Sequence, residues 1–201
     1  KFFTFHAKKR PFISLKWAQS PDGIIDLARS PGQKGIQWIS QPETQVFSHQ
    51  LRAKHQSILV GRKTVEIDDP SLDTRAFKGK DPLRIIIDPE YRLAESHQVF
   101  RDDNYLRFSR KAKNTQDRLL RDANFLEDIL EHLYQEGVQS ILIEGGAHTL
   151  NSFIEANLWD EAWQIVGNKN LMTGLKAPQL KKQAVESIKL GKDQIFKYQN
   201  L

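Results

Sequence analysis

The chain has 201 residues, of which 39% are hydrophobic and 27% charged, a composition typical of one folded domain and not of a disordered chain. It has no cysteine, which excludes disulfides and thiolate catalysis, and no apolar run approaches the roughly 18 residues of a membrane span. Strong nucleic-acid binders concentrate Lys and Arg on one face, whereas this net charge of +5 is dispersed and suits an anionic substrate or cofactor equally well. We therefore expect a cytoplasmic protein without a membrane or nucleic-acid partner.

The first six residues, Lys1-Phe2-Phe3-Thr4-Phe5-His6, are too apolar for a free tail and do not begin with methionine. We expect residues 1–10 to be a linker from a preceding part of a longer chain. Phe2, Phe3 and Phe5 would then pack against that part. Residues 11–201 contain no linker, internal repeat or low-complexity tract, so we predict a single domain over this range.

The first third of the chain predicts two buried strands with a helix between them. The strands are expected at Phe12–Ala18 and Ser57–Gly61, and Pro21-Asp22-Gly23 marks a turn after the first strand. The helix is expected at residues 41–54, because Ser40 can cap it and Glu43 completes a capping box.

The rest of the chain alternates strands with helices and then ends in strands. Strands are expected at Leu83–Asp88, Tyr105–Ser109, Ser140–Glu144, Ala162–Val166 and Ile195–Tyr198, and helices at Phe125–Glu136 and from Gly146 to Asn157. Gly137 follows the first of these helices at the position of a C-terminal cap. This order predicts an α/β fold with a mainly parallel central sheet, flanking helices and an antiparallel C-terminal hairpin.

The turn Glu144-Gly145-Gly146 is the first candidate site. A buried strand that runs through glycines into a helix leaves main-chain N–H groups free at the helix start, where they and the helix dipole bind phosphate. Glycine is required because a Cβ atom would keep a ligand away from the main chain. Spacing alone does not decide between this site and a tight turn without a ligand, because the full dinucleotide fingerprint is absent.

The segment Val60-Gly61-Arg62-Lys63-Thr64 is a second turn of this kind. Arg62 or Lys63 can reach a phosphate there, and Thr64 can donate a hydrogen bond. Taken alone, the segment is typical of a solvated polar turn. Two such turns at equivalent strand ends favour a ligand such as a dinucleotide, because open α/β sheets bind ligands at the carboxyl ends of their strands.

Three other positions each allow two interpretations. Asp68 and Asp69 pair two carboxylates, but no histidine or further acid lies at ligand spacing, so we predict a capped turn and no metal site. Lys16, inside the first strand, either points to solvent or pairs with an anion at the ligand edge of the sheet. Trp38 either packs in the core or stacks on a planar ring.

Seven motifs occur in one order over roughly residues 11–170, and together they resemble the reductase domain of the RibD family of riboflavin biosynthesis proteins. They are Leu15-Lys16-Trp17-Ala18-Gln19-Ser20-Pro21-Asp22-Gly23, Trp38-Ile39-Ser40, Leu51-Arg52-Ala53, Val60-Gly61-x-x-Thr64-Val65, Asp68-Asp69-Pro70-x-Leu72, Pro82-Leu83-Arg84-x-x-Ile87-Asp88 and Ile143-Glu144-Gly145-Gly146. The first six residues also resemble the connection from the deaminase domain that precedes the reductase domain in bifunctional members.

The resemblance implies a dihydrofolate-reductase-like fold, a homodimer and a covalently linked deaminase domain. It implies the NADPH-dependent reduction of 5-amino-6-(5-phosphoribosylamino)uracil, a phosphorylated pyrimidine, to its ribitylamino product, with hydride added at the ribosyl C1′. Positions that match cofactor contacts are Ala18, Trp38, Gly61, Thr64, Asp68, Gly145, Gly146, Ala147, Thr149 and Leu150. Positions that match substrate contacts are Arg52, Leu72, Arg75 and Glu144.

The resemblance leaves three candidates for the catalytic group. Asp68 and Glu144 are the acids nearest the expected reaction centre, and either can move the proton that accompanies hydride transfer. Lys16 is the third candidate, as a group that orients the substrate or stabilises charge. Arg52 and Arg75 are expected to clamp the phosphate of the substrate.

Two positions depart from the family pattern, and three alternatives remain. Ile36 stands where the family has a small polar residue and Pro89 where it has a serine, which leaves the preference for NADPH over NADH open. A stand-alone reductase of the undeaminated diaminopyrimidinone is disfavoured because the first six residues resemble the connection from a deaminase domain. A dihydrofolate reductase is disfavoured because Glu43, on the helix after the first loop, serves only as a cap. The joint presence of the candidate acids with Arg52 and Thr64 argues against a non-catalytic nucleotide-binding module.

Overall fold

The structure is a computed structural model that describes residues 1–30, 32–121 and 125–200. The helices in this part of the chain are α1 (Phe2–Lys8), α2 (Pro42–Ala53), α3 (Arg62–Asp68), α4 (Phe125–Gln135) and α5 (Ala147–Glu155), with a short 3₁₀ helix at Gln98–Phe100. The strands are β1 (Phe12–Gln19), β2 (Ile24–Leu27), β3 (Ser57–Gly61), β4 (Leu83–Ile87), β5 (Tyr105–Ser109), β6 (Asp117–Leu119), β7 (Ser140–Ile143), β8 (Glu161–Val166), β9 (Gly174–Lys176), β10 (Glu186–Leu190) and β11 (Asp193–Gln199).

The main sheet has nine strands in the order β10-β11-β8-β1-β7-β3-β4-β5-β6. Neighbouring strands from β8 to β6 are parallel, whereas β11 pairs antiparallel with both β8 and β10. The predicted α/β fold, with a mainly parallel sheet and an antiparallel C-terminal hairpin, is confirmed. Because β7 inserts between β1 and β3, the carboxyl ends of these three strands lie side by side.

The centre of the sheet is buried on both faces. Strand β7 has no exposed residue, as expected for a central parallel strand with helices on either side. Helices α4 and α5 cover one face, where Ile129 and Phe153 are fully buried, and α2 and α3 pack on the other through Leu51 and Val65. Gly137 ends α4 at a φ of +76°, and the N–H of the next residue donates to the carbonyl of Leu133, which confirms the predicted C-terminal cap.

The start of α2 differs from the prediction. Its N-cap is Gln41, without a side-chain cap, so the capping box at Ser40 was wrong. The first helical residue is Pro42, whose fixed φ and missing N–H suit this position, and it sets the start in place of the polar side chain. The Gln41 N–H instead donates to the Asp193 carboxylate at 2.7 Å, so the helix start is tied to β11.

Within the predicted linker of residues 1–10, here called the leader, helix α1 packs on the domain itself. The Phe5 ring is buried, with its centre 4.7 Å from that of Tyr134 in α4, so the expectation that Phe5 packs outside this domain was wrong. The Arg10 guanidinium donates two hydrogen bonds to Asp160 and fixes the end of the leader. Phe2 and Phe3 are exposed, and their packing partner stays a prediction.

Among the described residues, no helix is long and apolar enough to cross a membrane.

Candidate functional site

A cleft of about 750 Å³ opens where β1, β3, β4 and β7 end. It lies at the carboxyl ends of parallel strands, where open α/β sheets place their ligands. Ten of the predicted site residues line it: Lys16, Ala18, Gly61, Thr64, Asp68, Glu144, Gly145, Gly146, Ala147 and Thr149.

The two glycine turns predicted from the sequence meet in this cleft. The N–H of Gly146 donates to the Thr64 hydroxyl at 3.2 Å, which joins the β7–α5 turn to the β3–α3 turn. A Cβ atom on Gly145 would lie 2.7 Å from Cβ of Thr149, and one on Gly61 would lie 2.7 Å from Oγ1 of the same residue. Both contacts are shorter than real Cβ atoms make, so a side chain at either position would force Thr149 to shift, and glycine lets the turns pack as they do.

Helix α5 begins at the edge of the cleft. Its N-cap, Gly146, has extended backbone angles and no capping side chain, and Ala147 and Thr149 of the first turn line the cleft. The first N–H groups of a helix have no intrahelical acceptor and carry the positive end of its dipole. This end of α5 is therefore suited to hold an anionic group such as a phosphate.

A buried charge cluster lies at the end of β7. The Arg52 guanidinium, from α2, donates to both carboxylate oxygens of Glu144, with Nε–Oε1 at 3.0 Å and Nη2–Oε2 at 2.8 Å. The ammonium of Lys16, from β1, lies 3.6 Å from Oε2 of the same carboxylate. Because all three side chains are more than four-fifths buried, these charges interact in a region that water screens little.

Two cations therefore share one anion, and their pKa values shift in opposite directions, with that of Lys16 lowered and that of Arg52 raised. Burial opposes ionisation of Glu144, but the charges of Arg52 and Lys16 outweigh it and hold the pKa of this carboxyl at about 2. Burial lowers the pKa of the Lys16 ammonium, and Glu144 compensates only in part because it is already bonded to Arg52. At neutral pH, Glu144 is a carboxylate, and Lys16 is more acidic than an exposed lysine.

Asp68 is a second acid in the cleft, at the end of α3. Burial, with a smaller effect of the nearby Asp26 carboxylate, raises its pKa to about 6, although Arg29 acts in the opposite sense. Asp26 itself is held by Arg29, with Nε–Oδ2 and Nη2–Oδ1 both at 2.7 Å. Asp68 is therefore a carboxyl group that gains and loses its proton close to neutral pH.

Five predicted site residues lie outside the set that lines the cleft, and one of them, Arg52, is joined to the cleft only through its hydrogen bonds to Glu144. Trp38 is 55% exposed and so is not a core residue, and Leu150 is fully buried under the sheet. Leu72 is buried in the other core cluster, with a left-handed φ of 55°. Arg75 is exposed and bonds to the side chains of Asp73 and Ser71.

The sequence reasoning missed the far end of the cleft. Leu120, Arg121 and Phe125 line it after β6, and Arg110 does so after β5. Pro89, which departs from the family pattern, also lies at this end, beyond β4. The signal available in the sequence was that a basic residue, Arg110, directly follows the predicted strand Tyr105–Ser109. In the described parts of the chain, no group of three His, Asp or Glu side chains is placed to hold a metal ion.

The fold and site define an α/β protein with a cleft at the carboxyl edge of its sheet, beside a helix N-terminus suited to an anionic group. The family model "RibD C-terminal domain" matches residues 11–196, and the chain belongs to this family. A riboflavin biosynthesis protein RibD from Aquifex aeolicus is 33% identical over 96% of this chain and 57% of its own length. A 2,5-diamino-6-ribosylamino-4(3H)-pyrimidinone 5′-phosphate reductase from the same organism is 29% identical over 82% of each chain.

Solved structures confirm the fold. A deaminase/5-amino-6-(5-phosphoribosylamino)uracil reductase from Thermotoga maritima superposes with a TM-score of 0.85 at 26% identity. The superposition covers all of this chain and 59% of the Thermotoga maritima chain. The riboflavin biosynthesis reductase Rib7 from Saccharomyces cerevisiae has a TM-score of 0.68 at 21% identity, over 98% of this chain and 97% of its own. The chain spans about half the length of the RibD proteins that it matches.

Proposed function

We propose that this chain reduces 5-amino-6-(5-phosphoribosylamino)uracil to the 5-phosphoribitylamino product, with NADPH as the hydride donor. The single observation that carries the proposal is the Lys16–Glu144–Arg52 cluster beside the Gly145-Gly146 turn, because Lys16 and Glu144, held by Arg52, line the same cleft as a turn suited to phosphate. Relatives named as 2,5-diamino-6-ribosylamino-4(3H)-pyrimidinone 5′-phosphate reductases support the same reaction class.

The cleft fits a dinucleotide by its shape and by its main-chain donors. The first turn of α5 would hold the pyrophosphate, with Gly61 and Gly145 leaving room for close approach. Ala18, at the end of β1, would contact the nicotinamide end. Trp38, whose ring is exposed beside the cleft residues Gln37 and Ile39, is available to cover the cofactor. When bound, the nicotinamide would supply the hydride.

The residues of this chain would manage the proton. Addition of hydride to the ring-opened imine at C1′ also requires one proton on the nitrogen. Glu144 is held as a carboxylate and so cannot donate it; we assign to this side chain the orientation of Lys16 and of substrate hydroxyls. Burial lowers the pKa of Lys16 and raises that of Asp68 to about 6, and we assign the donation of this proton to one of these two groups.

The substrate phosphate is proposed to lie near Arg52. The described contacts of this guanidinium use three of its five N–H hydrogens, two on Glu144 and one on the carbonyl of Asp73. Two hydrogens remain for a substrate oxygen. Arg75, on the exposed loop after α3, is proposed to complete the phosphate clamp by exchanging its surface bond to Asp73.

The preference for NADPH is proposed to come from the far end of the cleft. Pro89 has no hydroxyl to offer a 2′-phosphate, but Arg110 and Arg121 bring two positive charges to the same region. The apolar side chains of Leu120 and Phe125 beside them suit an adenine ring. We expect the double variant Arg110→Ala/Arg121→Ala to lose affinity for 2′,5′-ADP and to keep its affinity for 5′-AMP, as measured by calorimetry.

The test of the proposed function is turnover by the purified chain. NADPH absorbance should fall only when the ribosylaminouracil phosphate is present. With Lys16→Met the absorbance should stay constant, although the variant should still bind NADPH. Dihydrofolate serves as the control substrate and should give no turnover. Absence of NADPH binding in calorimetry would refute the proposal.

One alternative substrate has its own support. The alignment with the Aquifex aeolicus diaminopyrimidinone reductase spans 82% of both chains, whereas the alignment with the RibD protein of that organism spans only 57% of the RibD chain. The two substrates differ at one ring position, where deamination replaces an amino group with a carbonyl. We expect a higher kcat/KM for the deaminated uracil, and the reverse order would make the diaminopyrimidinone the substrate.

We further propose the arrangement of the whole protein. Residues 11–201 would form the reductase domain, and residues 1–10 would follow a covalently linked deaminase domain in a longer chain. The deaminase/reductase name of the Thermotoga maritima protein supports this arrangement. A homodimer is expected, which light scattering after gel filtration tests, and a cytoplasmic location stays a prediction.

A further inference from the structure

His49 is a buried histidine that the proposed mechanism does not use. It lies on α2, three residues before Arg52, and is only 6% exposed. Its Nδ1 atom is 2.8 Å from the carbonyl oxygen of Asp73. Because a carbonyl oxygen only accepts, the hydrogen must be on Nδ1, so the geometry specifies one tautomer of the ring.

The carbonyl of Asp73 also binds Arg52. Nη1 of Arg52 donates to the same oxygen at 3.1 Å, so both lone pairs of this oxygen are used. The carbonyl belongs to the loop after α3, in which Asp69 and Leu72 have left-handed φ angles of 40° and 55°. Residues other than glycine are strained at such φ angles, and contacts with the surrounding structure must hold the backbone in place. His49 is one of the contacts that hold this loop against α2.

We propose that His49 is a positioning residue for the reduction, an inference that rests on the proposed function. By donating to the Asp73 carbonyl, His49 fixes the oxygen that orients one edge of the Arg52 guanidinium. The opposite edge of the same rigid group holds Glu144 through two hydrogen bonds. His49 therefore sets the position of Glu144, and through it that of Lys16, without touching the substrate or the cofactor.

A neutral imidazole suits this role electrostatically. The charged groups that face His49 are Arg52 on its own helix, Asp73 and Arg75 on the loop, and Glu144 at the end of β7. Burial and the neighbouring Arg52 lower the pKa of His49. A neutral donor holds the loop without adding a third positive charge next to Lys16 and Arg52.

The first test compares two substitutions of His49. In His49→Leu the donor is lost, and we expect kcat/KM for the ribosylaminouracil phosphate to fall about ten-fold, the usual effect of losing one hydrogen bond to a charged network. In His49→Asn the side-chain amide takes the place of Nδ1–H, and at least half of the loss should be recovered. The Kd for NADPH should stay within two-fold of the wild type in both variants.

His55 provides a matched control. Its Nδ1 also lies 2.7 Å from a main-chain carbonyl of α2, that of Leu51, but its Nε2 contacts Ser14 and not the loop after α3. His55→Leu should lower Tm about as much as His49→Leu and keep kcat/KM within two-fold of wild type. Equal losses of kcat/KM in the two variants would overturn the positioning role.

The second test measures the tautomer in the wild-type protein and does not depend on enzymatic activity. A long-range ¹H–¹⁵N spectrum should show the His49 ring with Nδ1 protonated and Nε2 unprotonated near neutral pH, assigned by its loss in His49→Asn. The Nε2–H form would overturn the inference whatever the activity. Absence of wild-type turnover would instead overturn the proposed reductase function, so the two failures are distinguishable.

Discussion

Glu144→Gln tests the buried charge cluster directly. The substitution keeps the shape of the side chain but removes the anion that Arg52 and Lys16 share. Two buried cations are then left without their partner, and breaking a buried pair in this way costs about 3–5 kcal/mol of stability. We expect the free energy of unfolding to fall by this amount at pH 7.

The pH dependence of this loss follows from the pKa of Glu144. Folding lowers that pKa from an ordinary 4.5 to about 2. The difference of about 2.5, at 1.36 kcal/mol for each pKa unit, corresponds to about 3 kcal/mol. Because the folded pKa is depressed, this stabilisation is fully present above pH 4.5 and is lost as the pH falls towards 2. About 1 kcal/mol should be gone by about pH 3.5.

Urea unfolding of the wild type and Glu144→Gln at a series of pH values measures the effect. The difference in unfolding free energy should narrow as the pH falls below 4.5, since protonated Glu144 resembles glutamine. Glu136→Gln is the control, because Glu136 pairs with Arg118 on the surface at 2.8 Å and should change stability by less than about 1 kcal/mol. A wild-type-to-variant difference that stays constant from pH 7 to about pH 3.5 would refute the reasoning.

Three further predictions concern neighbouring parts of the site. Gly145→Ala should lower the free energy of unfolding by about 1–3 kcal/mol, because the new Cβ would clash with Thr149 of α5. Gly146→Ala should change it little, since a Cβ there would lie an ordinary 3.7 Å from the Thr64 hydroxyl. Thermal unfolding of the two variants measures the difference. Asp68→Asn should unfold at a higher temperature than wild type at pH 7 by about 2–4 °C, because a pKa raised from 3.8 to about 6 destabilises the folded wild type increasingly between these two pH values and fully above pH 6. The advantage should disappear below about pH 4, and an unchanged Tm at both pH values would contradict this. Arg52→Ala should weaken binding of the ribosylaminouracil phosphate more than binding of NADPH in calorimetry, and equal losses would move this residue to the cofactor side.

Local signals in the sequence predicted the central elements of the fold well. The pattern of Leu126, Ile129, Leu130 and Leu133 followed by Gly137 specified α4 and its end, and the apolar run before Glu144 specified β7. Both signals depend only on residues within a few positions of each other. The strands β2, β6, β9 and β10 were not predicted, because none is longer than five residues and none has a run of buried apolar residues. Strands β2 and β9 form only by pairing with each other across about 150 residues of chain.

The sequence by itself determined that two glycine turns end buried strands, and the ordered motifs indicated the family. Only the tertiary structure decided that Arg52 and Glu144, 92 residues apart, form one bidentate pair, and that Thr64 accepts the N–H of Gly146, 82 residues away. The physical reason is the insertion of β7 between β1 and β3. Strand pairing is a long-range choice, and it brings Lys16, Glu144 and both glycine turns to one edge of the sheet.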